Sequence, residues 1–138
     1  MLFFKKKAFS SINVAPTITI KDYSPLLFID MCIKSRRVAR IQCVLGSDNS
    51  ILISDIIHNA HEYNKGYGSH MMETLLTYAK QHGYTRIYGN LSTVDSDHLD
   101  RLLHFYKKFG FAITIFDKVR DCYFGEIHKD IFPEKHDA

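Results

Sequence analysis

The stretch from Glu62 to Leu76, EYNKGYGSHMMETLL, places Gly66 and Gly68 directly before a run rich in methionine and leucine. Glycine adopts positive φ without a steric penalty and lets the backbone approach a ligand closely. A helix that begins just behind such glycines presents unpaired N–H groups and the positive end of its dipole, and both favour an anion. The stretch therefore predicts either an anion-binding turn or a tight turn that only connects two packed elements.

Three strand-like segments precede the glycine turn. LLFIDMCI (Leu26–Ile33) and RVARIQCVL (Arg37–Leu45) are separated by a short polar segment, which predicts a hairpin. ILISDIIH (Ile51–His58) follows the turn signal GSDNS and is apolar enough to predict a strand that is buried on both faces. A shorter β-rich stretch, TITI (Thr17–Ile20), lies within the otherwise loosely patterned residues 1–25.

The sequence after the turn predicts a helix, a strand, a second helix and two strands. The first helix has an apolar face at helical spacing and ends at Gly83, and TRIYGNLS (Thr85–Ser92) follows as a strand. N-capping side chains and an apolar face predict the second helix: Asp95, Ser96, Asp97, Leu99, Leu102, Leu103 and Tyr106. A closing hairpin is expected from Phe111–Phe116 and Cys122–His128. This order predicts an α/β fold with a mixed sheet of about six to seven strands and helices packed on its faces.

The composition is that of one ordinary globular domain, expected to span residues 1–138. The chain is 46% hydrophobic and 24% charged, which excludes a disordered protein. Its net charge of +3 is too small for a dedicated nucleic-acid binder, so we expect no nucleic-acid partner.

The cysteines and the apolar segments indicate the cellular compartment in which the protein is expected. Cys32, Cys43 and Cys122 are odd in number and lack C-x-x-C spacing, which argues against a disulfide framework or a zinc site and favours a reducing cytoplasm. No apolar stretch reaches the length of a membrane span. The opening MLFFKKKAFSS lacks the long apolar core of a signal peptide.

Two nucleotide-binding motifs fail at the glycine turn. A dinucleotide-binding fingerprint needs a small residue where Met71 stands, and its downstream acidic partner is also missing. A phosphate-binding loop of the Walker type needs a lysine after the second glycine, but Lys65 precedes both glycines.

A third motif fits better. Tyr63-Asn64-Lys65-Gly66-Tyr67-Gly68, followed by Ser69, resembles the acyl-CoA-binding turn of the GNAT (GCN5-related) N-acetyltransferases, which reads Gln/Arg-x-x-Gly-x-Gly/Ala. LLHFYKKFGF (Leu102–Phe111) resembles the Phe-Tyr-x-x-x-Gly-Phe signature of that family at the end of the next helix. The resemblance covers residues 26–128, with 1–25 as a lead-in and 129–138 as a tail, and it implies a GNAT-like, mostly antiparallel sheet.

Two departures from the family pattern stand out. The first motif position, Gln or Arg in the family, is Tyr63 here. Family members commonly place two helices between their first and second strands to wall the acceptor pocket, but only residues 21–26 are available for them here. The chain thus resembles an abridged member, with an acceptor side that is open or completed by a partner subunit, as in a homodimer.

The resemblance implies acetyl-CoA as the acyl donor. Backbone N–H groups in the turn would hold its pyrophosphate, and the edge of the preceding strand would pair with its pantetheine arm. The implied cofactor-binding residues are Ile56, Ile57, His58, Tyr63, Asn64, Lys65, Gly66, Tyr67, Gly68, Ser69, Asn90, Tyr106 and Lys108.

The implied reaction is direct transfer of an acetyl group to a primary amine. Tyr106 matches the family tyrosine that protonates the departing thiolate, although its place on an apolar helix face also fits simple packing. Asp55 and His58 are the candidate bases, and some relatives use water instead. The loop residues His58, His61 and Glu62 lack a helical His-x-x-x-His pattern, so no metal is predicted.

The acceptor is left open by the sequence and is either a small-molecule amine or an amine of a protein. The alternative function is a catalytically inactive acyl-CoA-binding module that regulates a protein partner. The open acceptor side and the unassigned base leave that alternative standing.

Overall fold

The computed structural model describes residues 15–58, 66–93 and 98–134. Their elements, in chain order, are β1 (Thr17–Tyr23), β2 (Leu26–Ile33), β3 (Arg36–Leu45), β4 (Ser50–His58), α1 (Tyr67–Gln81), β5 (Arg86–Ser92), α2 (Leu99–Lys108), β6 (Ala112–Arg120) and β7 (Tyr123–Asp130). The predicted order of strands and helices is confirmed, with boundaries that differ by a few residues at most ends.

All seven strands form one sheet in the order β1-β2-β3-β4-β5-β7-β6. Only β4 and β5 are parallel to each other, and every other neighbouring pair is antiparallel. The parallel pair follows from the α1 crossover, because two parallel strands cannot be joined by a short hairpin. The sheet is therefore mixed and mostly antiparallel, as the resemblance implied.

The first two strands form a tight hairpin in which Tyr23 pairs with Leu26, so only Ser24 and Pro25 connect them. No helix lies between these strands, which confirms the prediction of an abridged chain at this point. Tyr78 of α1 ties this hairpin to the core, because its hydroxyl donates to Asp22 Oδ2 at 2.8 Å.

One face of the sheet, named here the core face, carries the buried apolar side chains. Strand alternation and register place these on it: Leu27, Ile29, Met31, Ile41, Cys43, Ile51, Ile53, Ile87, Leu91 and Ile127. Met71, Met72, Leu75 and Ala79 of α1 are fully buried against them. Tyr106 of α2 joins the same core cluster, so both described helices lie on this face. The opposite face, which carries neither of the two described helices, is named here the helix-free face.

The prediction that β4 is buried on both faces is wrong for its second half. Ile51 and Ile53 are buried, but Ser54, Asp55 and Ile57 are exposed. The reason is topological, because only Ser50–Ile53 pairs with β5, at Arg86–Gly89. Beyond this point β4 stays with β3 and β5 stays with β7, so the two strands separate into a wedge.

A β-bulge coincides with the start of the wedge. Ile53 pairs with Cys43 and Asp55 pairs with Gln42, so Ser54 is the extra residue on β4. A bulge bends the strand and shifts its alternation by one position. Ile56 and His58 consequently face the core side, opposite Ile41 and Ala39.

The expected capping of the second helix by Asp95, Ser96 and Asp97 falls outside the described residues. α2 begins at Leu99, and the side chain of the preceding residue, His98, makes no capping hydrogen bond.

Candidate active site

The first turn of α1 has features that favour an anion. Gly66, the residue before the helix, has φ 78°, a left-handed conformation that glycine adopts without a Cβ clash. The first turn contains no acidic residue, and no described side chain caps it with a hydrogen bond. Because the first N–H groups of a helix have no partner within it, those of Tyr67, Gly68 and Ser69 face the region before the helix.

A cavity of about 390 Å³ lies in front of this turn. The end of β4, the start of α1 and one side of α2 line it with Ile56, His58, Gly66, Gly68, Ser69, His98, Arg101, Leu102, His104, Phe105 and Lys108. Gly68 of α1 lies close to both of the other elements. A Cβ added there would be 3.2 Å from Phe105 Cε1 and 3.5 Å from His58 Cε1.

Basic side chains line the side of the cavity that α2 provides. Lys108 Nζ donates to Ser69 Oγ at 3.0 Å, so an ammonium lies beside the first turn of α1. Arg101, two turns earlier on α2, lines the same cavity. Together with the dipole of α1, these cations make the cavity suitable for a polyanion such as a pyrophosphate.

His58 faces the cavity from the end of β4. Burial lowers the pKa of its imidazole below the ordinary value of 6.5, because a buried site disfavours the charged form. The neutral ring is therefore the main form at pH 7. A neutral imidazole is able to accept a proton or a hydrogen bond.

Asp55 lies on the other side of the same strand. Its side chain is exposed, and its Oδ1 accepts a hydrogen bond from the Ile56 N–H at 2.8 Å. The register places Asp55 on the helix-free face, next to the wedge. The two predicted bases, Asp55 and His58, therefore face opposite sides of β4.

The other predicted site residues are distributed as follows. Asn90 and Ile57 are exposed on the helix-free face and do not line the cavity. Tyr106 is only 7% exposed; its ring packs edge-on against Phe105 and Phe111, and it does not line the cavity either. Tyr63, Asn64 and Lys65 lie outside the described residues.

Of the part of α2 that faces the cavity, sequence reasoning named Lys108 and missed Arg101 and Phe105. Arg101, Phe105 and Lys108 are spaced by four and three residues and form one helical stripe. That spacing could have indicated the stripe, but the prediction for this helix was based on its apolar face, which contains Tyr106.

Within residues 15–58, 66–93 and 98–134, no group of three or more His, Cys, Asp or Glu side chains is arranged to hold a metal ion. Neither described helix is long and apolar enough to span a membrane.

The family model for the acetyltransferase (GNAT) family matches residues 7–111. The chain belongs to the GNAT acetyltransferase family. The match begins earlier and ends earlier than the predicted range of 26–128, so the lead-in contains family sequence as well. The glycine turn and the helix signature both lie inside it.

Solved structures with this GNAT fold are close in shape and distant in sequence. An acetyltransferase of the GNAT family from Staphylococcus aureus has a TM-score of 0.66 at 14% identity, over 79% of this chain and 70% of that one. An acetyltransferase from Bacillus subtilis in complex with CoA also has a TM-score of 0.66, at 12% identity, over 86% of this chain and 100% of that one. At these identities the likeness establishes the fold alone.

A curated relative gives a closer but partial match. YocC of Bacillus subtilis, described as an uncharacterized protein, is 37% identical over 68 residues, which are 49% of this chain. The matched region spans about two fifths (39%) of the length of YocC.

Proposed function

We propose that this GNAT chain is an N-acetyltransferase that transfers the acetyl group of acetyl-CoA to a primary amine. The observation that carries the proposal is the first turn of α1, which no described side chain caps and which opens into a basic cavity beside the wedge between β4 and β5. A phosphate-binding turn next to an unpaired strand edge suits a ligand that joins a pyrophosphate to an amide-containing arm.

The residues of the cavity fit such a donor. Backbone N–H groups of Gly66 to Ser69, with Lys65 before them, would hold the pyrophosphate. Lys108 would add a positive charge at the same point, since it already contacts Ser69. The edge of β4 from Ser54 to His58 has no β5 partner, which leaves it available to pair with the pantetheine arm in the manner of an added strand.

The proposed chemistry forms a C–N bond and breaks a C–S bond. The amine loses one proton, the acetyl group moves to its nitrogen, and the sulfur leaves as a thiol once it has gained a proton. If no side chain of this protein accepted or donated these protons, both proton transfers would depend on water alone.

We propose three residues for these steps. Asp55, beside the wedge on the helix-free face, would bind the acceptor amine and accept its proton. His58, on the cavity face, would contact the donor and help to orient it. Tyr106 would donate the proton to the sulfur, the role that its position in the family signature implies. A Tyr106→Phe variant should then lose turnover, while its affinity for acetyl-CoA stays within about twofold.

The first test is calorimetric titration of the full chain with acetyl-CoA, CoA and NAD. We expect binding of both CoA species and none of NAD, since the turn lacks a dinucleotide fingerprint. A screen of primary amines for the release of free thiol then tests transfer. Absence of binding by either CoA species would refute the proposal.

The buried position of Tyr106 favours a second candidate, a module that binds acyl-CoA and regulates a protein partner without turnover. This candidate shares the donor site and differs at the acceptor step. Binding of acetyl-CoA without thiol release in the presence of any amine would favour it.

A further inference from the structure

The helix-free face carries a charged cluster that the donor site does not use. Asp30 on β2 is fully buried, and Arg40 on β3 donates to both of its carboxylate oxygens, at 2.6 and 3.0 Å. Lys21 on β1 adds a third contact, with its Nζ 3.1 Å from Asp30 Oδ2. Two cations thus surround one carboxylate, which leaves the cluster with a net charge of +1.

The cluster is held rigidly and is accessible. The Arg40 guanidinium lies over the ring of Phe28, 4.1 Å from its centroid, while its bidentate pair with Asp30 fixes its plane. The side chains of Lys21 and Arg40 remain 38% and 20% exposed. Both cations have N–H donors beyond those used on Asp30, because a guanidinium carries five and an ammonium three. Fixed donors with surplus positive charge form a prepared site for a carboxylate.

The cluster lies next to the proposed acceptor position. Arg40 pairs with Ile57 and Gln42 pairs with Asp55, so Arg40 and Asp55 are diagonal neighbours on the same face. Diagonal neighbours in a sheet are about 7–8 Å apart. No helix among the described elements covers this face, and Tyr23 and Leu26 at its edge are 64% and 40% exposed. Asp55 provides negative charge beside the wedge, and Arg40 provides positive charge one strand further away. This arrangement suits an acceptor with a positive group at one end and a negative group at the other.

We propose that the Lys21–Asp30–Arg40 cluster binds a carboxylate of the acceptor while Asp55 receives its amine. The substrate class is therefore an amino acid or related compound in which several bonds separate the two groups. This inference rests on the proposed function, since it concerns the acceptor of that same reaction.

The test compares 6-aminohexanoate with 6-aminohexanamide, two probes of equal length that differ in the carboxylate. We expect kcat/KM for the acid to exceed that for the amide by about tenfold or more, as a charge-assisted contact would give. Glycine and 4-aminobutyrate, which are shorter, should be poorer acceptors than 6-aminohexanoate.

The matched variants are Lys21→Met, which keeps the apolar stem, and Lys118→Met, which removes an equal charge on β6 at the far edge of the sheet. Lys21→Met should reduce the preference for the acid about threefold or more, whereas Lys118→Met should leave that preference unchanged. Equal kcat/KM for the two probes in the wild type, or an unchanged preference in Lys21→Met, would overturn the inference alone. Failure of both probes to release thiol, with acetyl-CoA bound, would also overturn the inference alone; the proposed function fails with it only if no primary amine in the screen releases thiol.

Discussion

The substitution Gly68→Ala should weaken binding of the donor, acetyl-CoA, and leave the stability of the fold nearly unchanged. The backbone of Gly68 is not in the left-handed region, so an L-residue adopts its conformation without strain. Alanine in a helix is about 1 kcal/mol more favourable than glycine. The new methyl would lie 3.2 Å from Phe105 Cε1, a close contact that the ring relieves by moving a few tenths of an ångström. We therefore expect the free energy of unfolding to change by less than about 1 kcal/mol.

In the proposed donor site, the same methyl would crowd the pyrophosphate where it is expected to approach the first turn of α1. If it prevents one charge-assisted hydrogen bond, the loss is about 1.5–3 kcal/mol, which corresponds to an affinity for acetyl-CoA about tenfold to 100-fold weaker. Calorimetric titration measures this effect, and chemical unfolding of the same sample measures stability.

Gly83→Ala is the matched control at the other end of α1. Gly83 has φ 78°, and nothing lies within 4 Å of an added Cβ, so the substitution introduces backbone strain and no crowding. We expect a loss of about 1–2 kcal/mol in stability with unchanged affinity. Unchanged acetyl-CoA affinity in a folded Gly68→Ala protein would refute the assignment of this turn to the donor.

Three further predictions test single side chains. Lys108→Met should weaken acetyl-CoA binding several-fold and reduce the dependence of this binding on salt, whereas Lys107→Met on the same helix should do neither. Titrations at two salt concentrations measure both variants, and equal losses of affinity in the two would contradict a specific role for Lys108. Because burial lowers the pKa of His58, its contribution to stability is present above about pH 6.5 and is lost as the pH falls through the folded pKa. The free energy of unfolding should therefore fall more steeply below pH 6.5 in the wild type than in His58→Gln. Asp30→Asn should cost about 3 kcal/mol or more of unfolding free energy, measured with urea, because it leaves two cations without their buried carboxylate, and a loss below 1 kcal/mol would contradict this account.

Much of the fold followed from the sequence because its elements have strong local signals. Alternation and short polar turns predicted β2 and β3 within one residue of their observed ends. The glycines around α1 marked its limits, since both ends need a backbone that favours glycine. The short connection between β1 and β2 also followed from simple counting of residues.

The burial of β4 could not be predicted from its sequence, because it depends on a partner strand that is distant in the chain. ILISDIIH is apolar enough to predict a strand buried on both faces, yet its pairing with β5 stops at Ile53. Nothing in the residues themselves states where two parallel strands separate. The second half of the strand, which contains Ile56 and Ile57, is therefore partly exposed in the structure.

The faces of the candidate bases did not follow either. Strict alternation from Ile51 would place Asp55 on the core face and His58 on the opposite face. The bulge at Ser54 reverses both assignments, because it inserts one residue opposite a continuous β3. A one-residue shift in a strand exchanges its two faces, and the sequence alone gives no sign of it.

This reversal bears directly on the proposed reaction. With His58 on the cavity face and Asp55 on the helix-free face, the donor and the acceptor would approach β4 from opposite sides. Beyond Ile53 the described strands β4 and β5 are no longer paired, so the acetyl group would have to cross between those sides there. The connection between β1 and β2 is only two residues long, and no helix among the described elements lies on the acceptor side, so polar groups have to define it. The charged cluster around Asp30 is the part of that face best prepared to do so, which is why the carboxylate of the acceptor is the feature to vary first.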